Sequence, residues 1–287
     1  MEDESTNTTC YIESSAANAT LITIYIVIFI GGTIGAVVMI FLITGMNRLS
    51  VTNTSVLNLL IVHGLFLITV PFRIAYYFQN KWNFRLHFCR LVSAMIHLHI
   101  YISFIFYVIM LSMRYISFFK QMDKIEFYRT FHSLVASGAV WVLICVIILP
   151  LVLTKYGTTA SFNETQCFQF QEELKDPAVI KINYFITAVM FTVVCLLLAV
   201  QIFIIVQVMK KVGKPVLAHQ ETWIQLKSIF FILVMIICFF PFHIFKIYYM
   251  RHTRECFYYN EICLSITALS CLDFLLFGLK TYFQRVT

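Results

Sequence analysis

Charge is what this sequence has least of. Asp, Glu, Lys and Arg make up 12% of its 287 residues, against about 25% in an ordinary soluble domain. Hydrophobic residues make up 60%, and the mean hydropathy is +0.84. A soluble enzyme and a disordered chain are excluded on that balance. With 9 glycines and no Gly-X-Y period, so is a collagen-like fibre. The chain also lacks a Gly-rich phosphate loop, zinc-ligand spacing, a nucleophile elbow, internal repeats and low-complexity tracts, so no enzyme and no cofactor are expected. Lys+Arg of 21 against Asp+Glu of 14 gives +7. That is too few charges to build a basic face, so no nucleic-acid partner is expected, and the useful question is which side of a membrane each charge occupies.

Where charge is missing altogether, the gaps have membrane length. Runs free of Asp, Glu, Lys and Arg cover 21–47, 49–72, 91–113, 130–154, 182–209 and 228–245, and a seventh, 262–279, is interrupted only by Asp273. A spanning helix needs about 20 mostly apolar residues. The runs do not alternate as barrel strands do, so an all-α bundle of seven transmembrane helices is expected. Residues 1–20 form an N-terminal segment, 21–279 the helical domain and 280–287 a short tail. The first run is too long for a signal peptide, and an acidic stretch rather than a basic one precedes it.

No Lys or Arg precedes Leu21, and Arg48 follows the first run. The positive-inside rule then puts the N-terminus outside and the C-terminus in the cytosol, although this topology divides the 21 Lys and Arg almost evenly. Sequons at Asn7, Asn18 and Asn163 fall outside, as glycosylation requires, and Asn53-Thr54-Ser55 falls inside. Cys145, Cys195, Cys238, Cys263 and Cys271 lie in helices, where cysteine is usually an apolar filler. Cys10, Cys89, Cys167 and Cys256 are all outside, where disulfides persist. Four cysteines allow three pairings. His97 and His99 are two apart on a helix and point in different directions, so a shared metal ion is not expected.

Polar residues held within a bilayer are costly and mark function by default. Taken in order, those of this chain resemble the rhodopsin-like G-protein-coupled receptors. The matching elements are Leu57-Asn58-Leu59 in helix two, Cys89 opening helix three, Arg114-Tyr115 closing it, and Trp141 in helix four. Cys238-Phe239-Phe240-Pro241 in helix six and Leu272-Asp273 in helix seven complete them. Thr69-Val70-Pro71-Phe72 and Phe239-Phe240-Pro241-Phe242-His243 with Lys246 are similar to the branch that holds nucleotide and protease-activated receptors. The resemblance covers nearly the whole chain. It implies a plasma-membrane receptor that couples an extracellular ligand to a heterotrimeric G protein. It also implies a Cys89–Cys167 disulfide over the pocket and, by analogy with the branch, a Cys10–Cys256 disulfide.

Roles follow residue by residue. Arg114, with Tyr115, takes the place of the family's cytoplasmic switch; a guanidinium at a helix end can trade partners between two states, though one there can also simply snorkel. The usual acid before it is replaced by Met113, and an Arg114–Glu221 pair is expected as the remaining lock. His63 stands where the family has a sodium-binding Asp, with Ser103, Ser270 and Asp273 around the same cavity, and a His63–Asp273 contact is expected to replace the ion. Cys238, Phe239 and Pro241 form the helix-six hinge. Helix five has no proline, Phe274 and Phe277 replace the family's helix-seven Pro and Tyr, and helix one lacks its Asn. These departures leave open a non-signalling decoy or scaffold receptor. The ligand pocket is expected from Arg73, His97, Tyr101, His243, Lys246 and Tyr248, and two cations there suit an anionic small molecule or lipid. The same cations could instead run out to headgroups. The tail has no Cys to palmitoylate and few phosphorylation sites, so strong arrestin recruitment is not expected.

Overall fold

The computed structural model describes residues 10, 12–44, 51–119, 134–146, 165–168, 176–212, 220–253 and 255–275. Among them the chain is helical: α1 (Ser14–Thr44), α2 (Val51–Gln79), α3 (Leu86–Phe119), α4 (Leu134–Val146), α5 (Pro177–Val212), α6 (Gln220–Val234), α7 (Phe240–Tyr249) and α8 (Phe257–Thr267). A π-helical turn, Met235–Phe239, joins α6 to α7, and a 3-10 turn, Ala268–Leu272, continues α8. Five rods are long and apolar enough to cross a membrane, namely Ser14–Thr44, Thr54–Gln79, Leu86–Ile116, Pro177–Lys210 and Ser228–Tyr249; α4 is apolar but shorter. This is an all-α membrane protein.

Several helices outrun the charge-free stretches that predict them. In a bilayer the backbone can satisfy its polar groups only within its own helix, and the helix continues until water is reached. α1 therefore begins at Ser14, before Leu21, and α8 begins at Phe257, before Ile262.

The packing is inside-out relative to a soluble protein. Phe41, Ile68, Phe185 and Leu196 stand exposed on the outer surface, while Arg73, His63, His99, Asp273 and Glu261 are buried between helices. α1 is apolar all round, so hydrophobicity does not choose its inner face. Its buried residues, Leu21, Tyr25, Ile28, Gly32, Gly35 and Met39, instead recur every three or four positions and carry the small side chains. A Cβ at Gly35 would meet the Leu275 backbone nitrogen at 3.0 Å. The glycine lets α1 approach the last helix almost backbone to backbone, the usual device where lipid removes the hydrophobic drive between helices.

The π turn sits immediately before Pro241. Proline has no N–H and its ring crowds the carbonyl four residues back, here that of Ile237. One wider turn absorbs that conflict without ending the rod. Phe239, at the end of the turn, is buried edge-on against Phe104 at 6.2 Å.

Candidate functional site

Two cystines fix one end of the bundle. Cys89 is joined to Cys167 with Cα atoms 5.8 Å apart, and Cys10 to Cys256 with Cα atoms 5.0 Å apart. The first places Phe168 against the helices. Phe168 has φ of 69°, an unusual conformation for a bulky residue. It is held there by the adjacent cystine and by Tyr76 and Trp82, whose rings lie 5.1 and 5.9 Å away. Trp82 N–H donates to the Thr165 carbonyl at 2.8 Å, tying the two connecting segments together.

Beneath Phe168 lies a cavity of about 40 Å³ lined by Arg73, Ser93, His97, Phe168, Phe242, Lys246, Tyr249, Asn260, Glu261 and Leu264. A water needs roughly 10–15 Å³ of such space, so the cavity as it stands holds a few waters and must widen to admit a larger molecule. Its wall is an ionic network. Arg73 Nη1 lies 4.0 Å from Glu261 Oε2 and donates to Tyr25 Oη at 3.3 Å, while Nη2 donates to the Val92 carbonyl at 3.2 Å. Tyr77 O–H donates to Glu261 Oε2 at 2.7 Å. Phe168 covers the guanidinium at 4.3 Å from its ring centre. Arg73 is thus held within the protein rather than running out to headgroups. Lys246 is also buried, 5.2 Å from the Phe242 ring, and no carboxylate among the described residues lies within ion-pair reach of it.

Of the six residues expected to form the pocket, Arg73, His97 and Lys246 line this cavity. His243 and Tyr101 lie off it, facing each other at 6.3 Å between ring centres. Tyr248 lies elsewhere: it is 39% exposed and stacks on His252 at 4.3 Å. Two residues beyond Lys246 on one helix, it faces away from the bundle. Glu261 also lines the cavity, and Tyr25 and Tyr77 join it in the Arg73 network; sequence reading missed all three. An acid at the mouth of the last apolar run was the available signal for Glu261.

Deeper in the bundle a second polar cluster joins α2, α3 and the last helix. His63 Nε2 is 3.7 Å from Asp273 Oδ1, and Tyr107 O–H donates to Asp273 Oδ2 at 2.7 Å. His63 Nδ1 and His99 Nε2 are 3.0 Å apart, and Cys271 Sγ is 3.3 Å from the same His99 nitrogen. The expected His63–Asp273 neighbourhood is therefore present, with three partners the sequence did not indicate. Ser103 is buried nearby, while Ser270 Oγ bonds back to the Thr267 carbonyl at 2.9 Å. Tyr107 also meets Phe239 of the hinge at 6.2 Å, which connects the cluster to the π turn. Cys238 is buried in that turn.

At the opposite end, Arg114 Nη1 donates to Ser228 Oγ at 3.4 Å, and its guanidinium lies 5.2 Å from the Phe231 ring. Tyr115 O–H donates to the Leu197 carbonyl at 3.1 Å. Glu221 belongs to α6, but its side chain is outside the described residues, as are Asn7 and Asn163. Asn18 is buried within α1, and its amide donates to Asn80 Oδ1 at 2.5 Å. Asn58, Ser137 and Trp141 join α2 to α4: Asn58 donates to Ser137 Oγ at 3.0 Å and accepts from Trp141 Nε1 at 2.8 Å.

Comparison with known proteins places this arrangement. The family described as 7 transmembrane receptor (rhodopsin family) matches residues 34–274. The chain is 46% identical over 264 residues to Probable G-protein coupled receptor 141 of Homo sapiens, covering 90% of this chain and 87% of that protein. It is 27% identical to Probable G-protein coupled receptor 34 of Pan troglodytes, over 93% of this chain and 74% of the relative. It is 25% identical to Proteinase-activated receptor 3 of Rattus norvegicus, over 96% and 77% respectively. These relatives are receptors rather than enzymes.

Proposed function

The chain belongs to the rhodopsin family of seven-transmembrane receptors, and from that premise we propose that it binds an acidic small molecule or lipid at the disulfide end and activates a heterotrimeric G protein at the Arg114 end. The reading takes the N-terminus and both disulfides as extracellular, α4 and α8 as completing seven spans, and the plasma membrane as the site of action. Residues 1–20, 21–279 and 280–287 are then the outer segment, the receptor domain and the inner tail. Glycans then fall on Asn7, Asn18 and Asn163.

The observation that carries the ligand class is Lys246. Arg73 has Glu261 beside it, whereas Lys246 lines the same cavity with no carboxylate in reach among the described residues. A buried cation without a counter-ion is costly, and an anionic ligand would supply one. Its binding between α3, α7 and α8 would bear on the Phe239 hinge through Phe242, three residues further along. Outward movement of α6 would then break the contact of Arg114 with Ser228 and release the guanidinium toward the G protein. A second reading, a receptor that binds without signalling, is favoured by Met113, which leaves Arg114 without an adjacent acid.

Cells expressing the chain at the surface should be challenged with a panel of nucleotides and acidic lysolipids while G-protein activation is recorded. The proposal expects a response from at least one of them, lost in Lys246→Ala and in Arg114→Ala at equal surface expression. A response that survives Lys246→Ala removes the ligand assignment. Silence of every G-protein class, basal and stimulated, supports the non-signalling reading.

A further inference from the structure

The cluster of His63, His99 and Cys271 does not close as a set of hydrogen bonds. His99 Nε2 offers either one proton or one lone pair. Yet two groups converge on it, His63 Nδ1 at 3.0 Å and Cys271 Sγ at 3.3 Å. Only one of them can be served well. All three ligand atoms lie within 4.8 Å of one another, and all three residues are buried.

We infer that these three side chains form a binding site for a zinc ion in the transmembrane core, with Asp273 as the outer partner of His63. Two imidazole nitrogens and a sulfur are the donors zinc prefers, at about 2.0–2.1 Å and 2.3 Å. Around a tetrahedral ion those lengths put ligand atoms about 3.3–3.6 Å apart. The two separations at His99, 3.0 and 3.3 Å, are a few tenths of an ångström shorter, and the third pair lies within 4.8 Å, so small side-chain movements admit the ion.

Three further observations support the site. A metal-bound histidine usually turns its other nitrogen to a carboxylate, which fixes the ring and raises its basicity. Here His63 presents Nδ1 to the cluster and Nε2 to Asp273 Oδ1 at 3.7 Å, and His63 Nε2 and Asp273 Oδ1 have no hydrogen-bond partner among the described residues. The rings are also held in place: Phe66 stacks on His99 at 4.7 Å between ring centres, and Phe274 meets His63 edge-on at 5.1 Å. Finally, the charges balance. Zinc binding takes the cysteine as thiolate, and thiolate plus the Asp273 carboxylate neutralise a divalent ion at a depth where net charge is expensive. The thiol proton leaves to solvent as the ion enters, and nothing is oxidised or reduced. The ion ties α2, α3 and the last helix at one point, one layer below the ligand cavity.

The test is metal content. The full chain, purified through a tag without histidine and without chelator, is assayed for zinc by elemental mass spectrometry. About one zinc per chain is expected in the wild type, by analogy with single-ion structural sites. The same content is expected in Cys263→Ser, a free cysteine outside the cluster. Background levels are expected in Cys271→Ser and His99→Ala, and Asp273→Asn should weaken zinc affinity roughly 10–100-fold. Wild-type zinc at background, or wild-type content retained in both ligand variants, overturns the proposal. Should those variants fail to fold, cobalt titration of the wild type decides alone. A thiolate-to-cobalt charge-transfer band in the near ultraviolet supports the site, and its absence overturns it. None of these readouts depends on whether the chain activates a G protein.

Discussion

The two ends of the bundle are held by different means. At the disulfide end, two cystines, the Arg73–Glu261–Tyr77 network and the rings around Phe168 tie the described segments to one another. At the Arg114 end, the described cross-helix polar contacts are single neutral or long hydrogen bonds: a 3.4 Å bond from Arg114 to Ser228, one from Tyr115 to the Leu197 carbonyl at 3.1 Å, and Gln201 to Gln225 at 3.0 Å. Under the proposed receptor function, with a ligand read at one end and movement at the other, that division is an advantage. The Arg73–Glu261 ion pair and the cystines hold the disulfide end to one geometry. Single long hydrogen bonds at the other end can be exchanged at little cost.

The contrast can be broken from its strong side first. Arg73→Met leaves Glu261 buried without its cation and should cost about 3–5 kcal/mol of stability, read as a fall in thermal midpoint of the detergent-solubilised chain. Pairing it with Glu261→Gln should recover part of that loss. Replacing Cys10 and Cys256 together by Ser should cost about 2–4 kcal/mol. The loss should fall on the disulfide end, seen as faster amide exchange near Tyr249 and Phe257 with little change around Ser228. Trp141→Phe removes the donor to Asn58 Oδ1 and should cost about 1–3 kcal/mol, midway in effect as it is midway in the bundle. Ser228→Ala should cost the least, about 0.5–1 kcal/mol or below, because its bond to Arg114 is long. It should nonetheless raise basal G-protein activation, and so should Glu221→Gln at equal surface expression. Unchanged basal activity in both would mean that Arg114 is not restrained from α6.

Much of this division was legible in the sequence, and for a physical reason. Helices in lipid announce themselves by the absence of charge, so the five long rods among the described residues could be read directly. The four cysteines outside the apolar runs, joined to the family resemblance, predict the two cystines that the structure contains. Arg114 and Pro241 stand alone in long apolar runs, and their positions follow from that isolation.

What escaped was decided by contacts between distant segments. Glu261 reads as a loop residue until α8 is seen to begin at Phe257, which buries the carboxylate opposite Arg73. His99 looks like half of a poor local pair with His97. Its real neighbours are 36 and 172 positions away. Tyr248 is expected in the pocket with Lys246, but two residues of helix turn them to different faces. In each case the residue type was right for the chemistry, and only the packing decided which neighbour it met.

The most direct test of the whole reading is nucleotide exchange on purified heterotrimeric G proteins of each class, catalysed by the chain in lipid nanodiscs, with Arg114→Ala alongside. Exchange above background on at least one class, abolished in Arg114→Ala with thermal stability intact, is the predicted result. Exchange that is absent for every class in the presence of the acidic-ligand panel, or equal in wild type and Arg114→Ala, would contradict it.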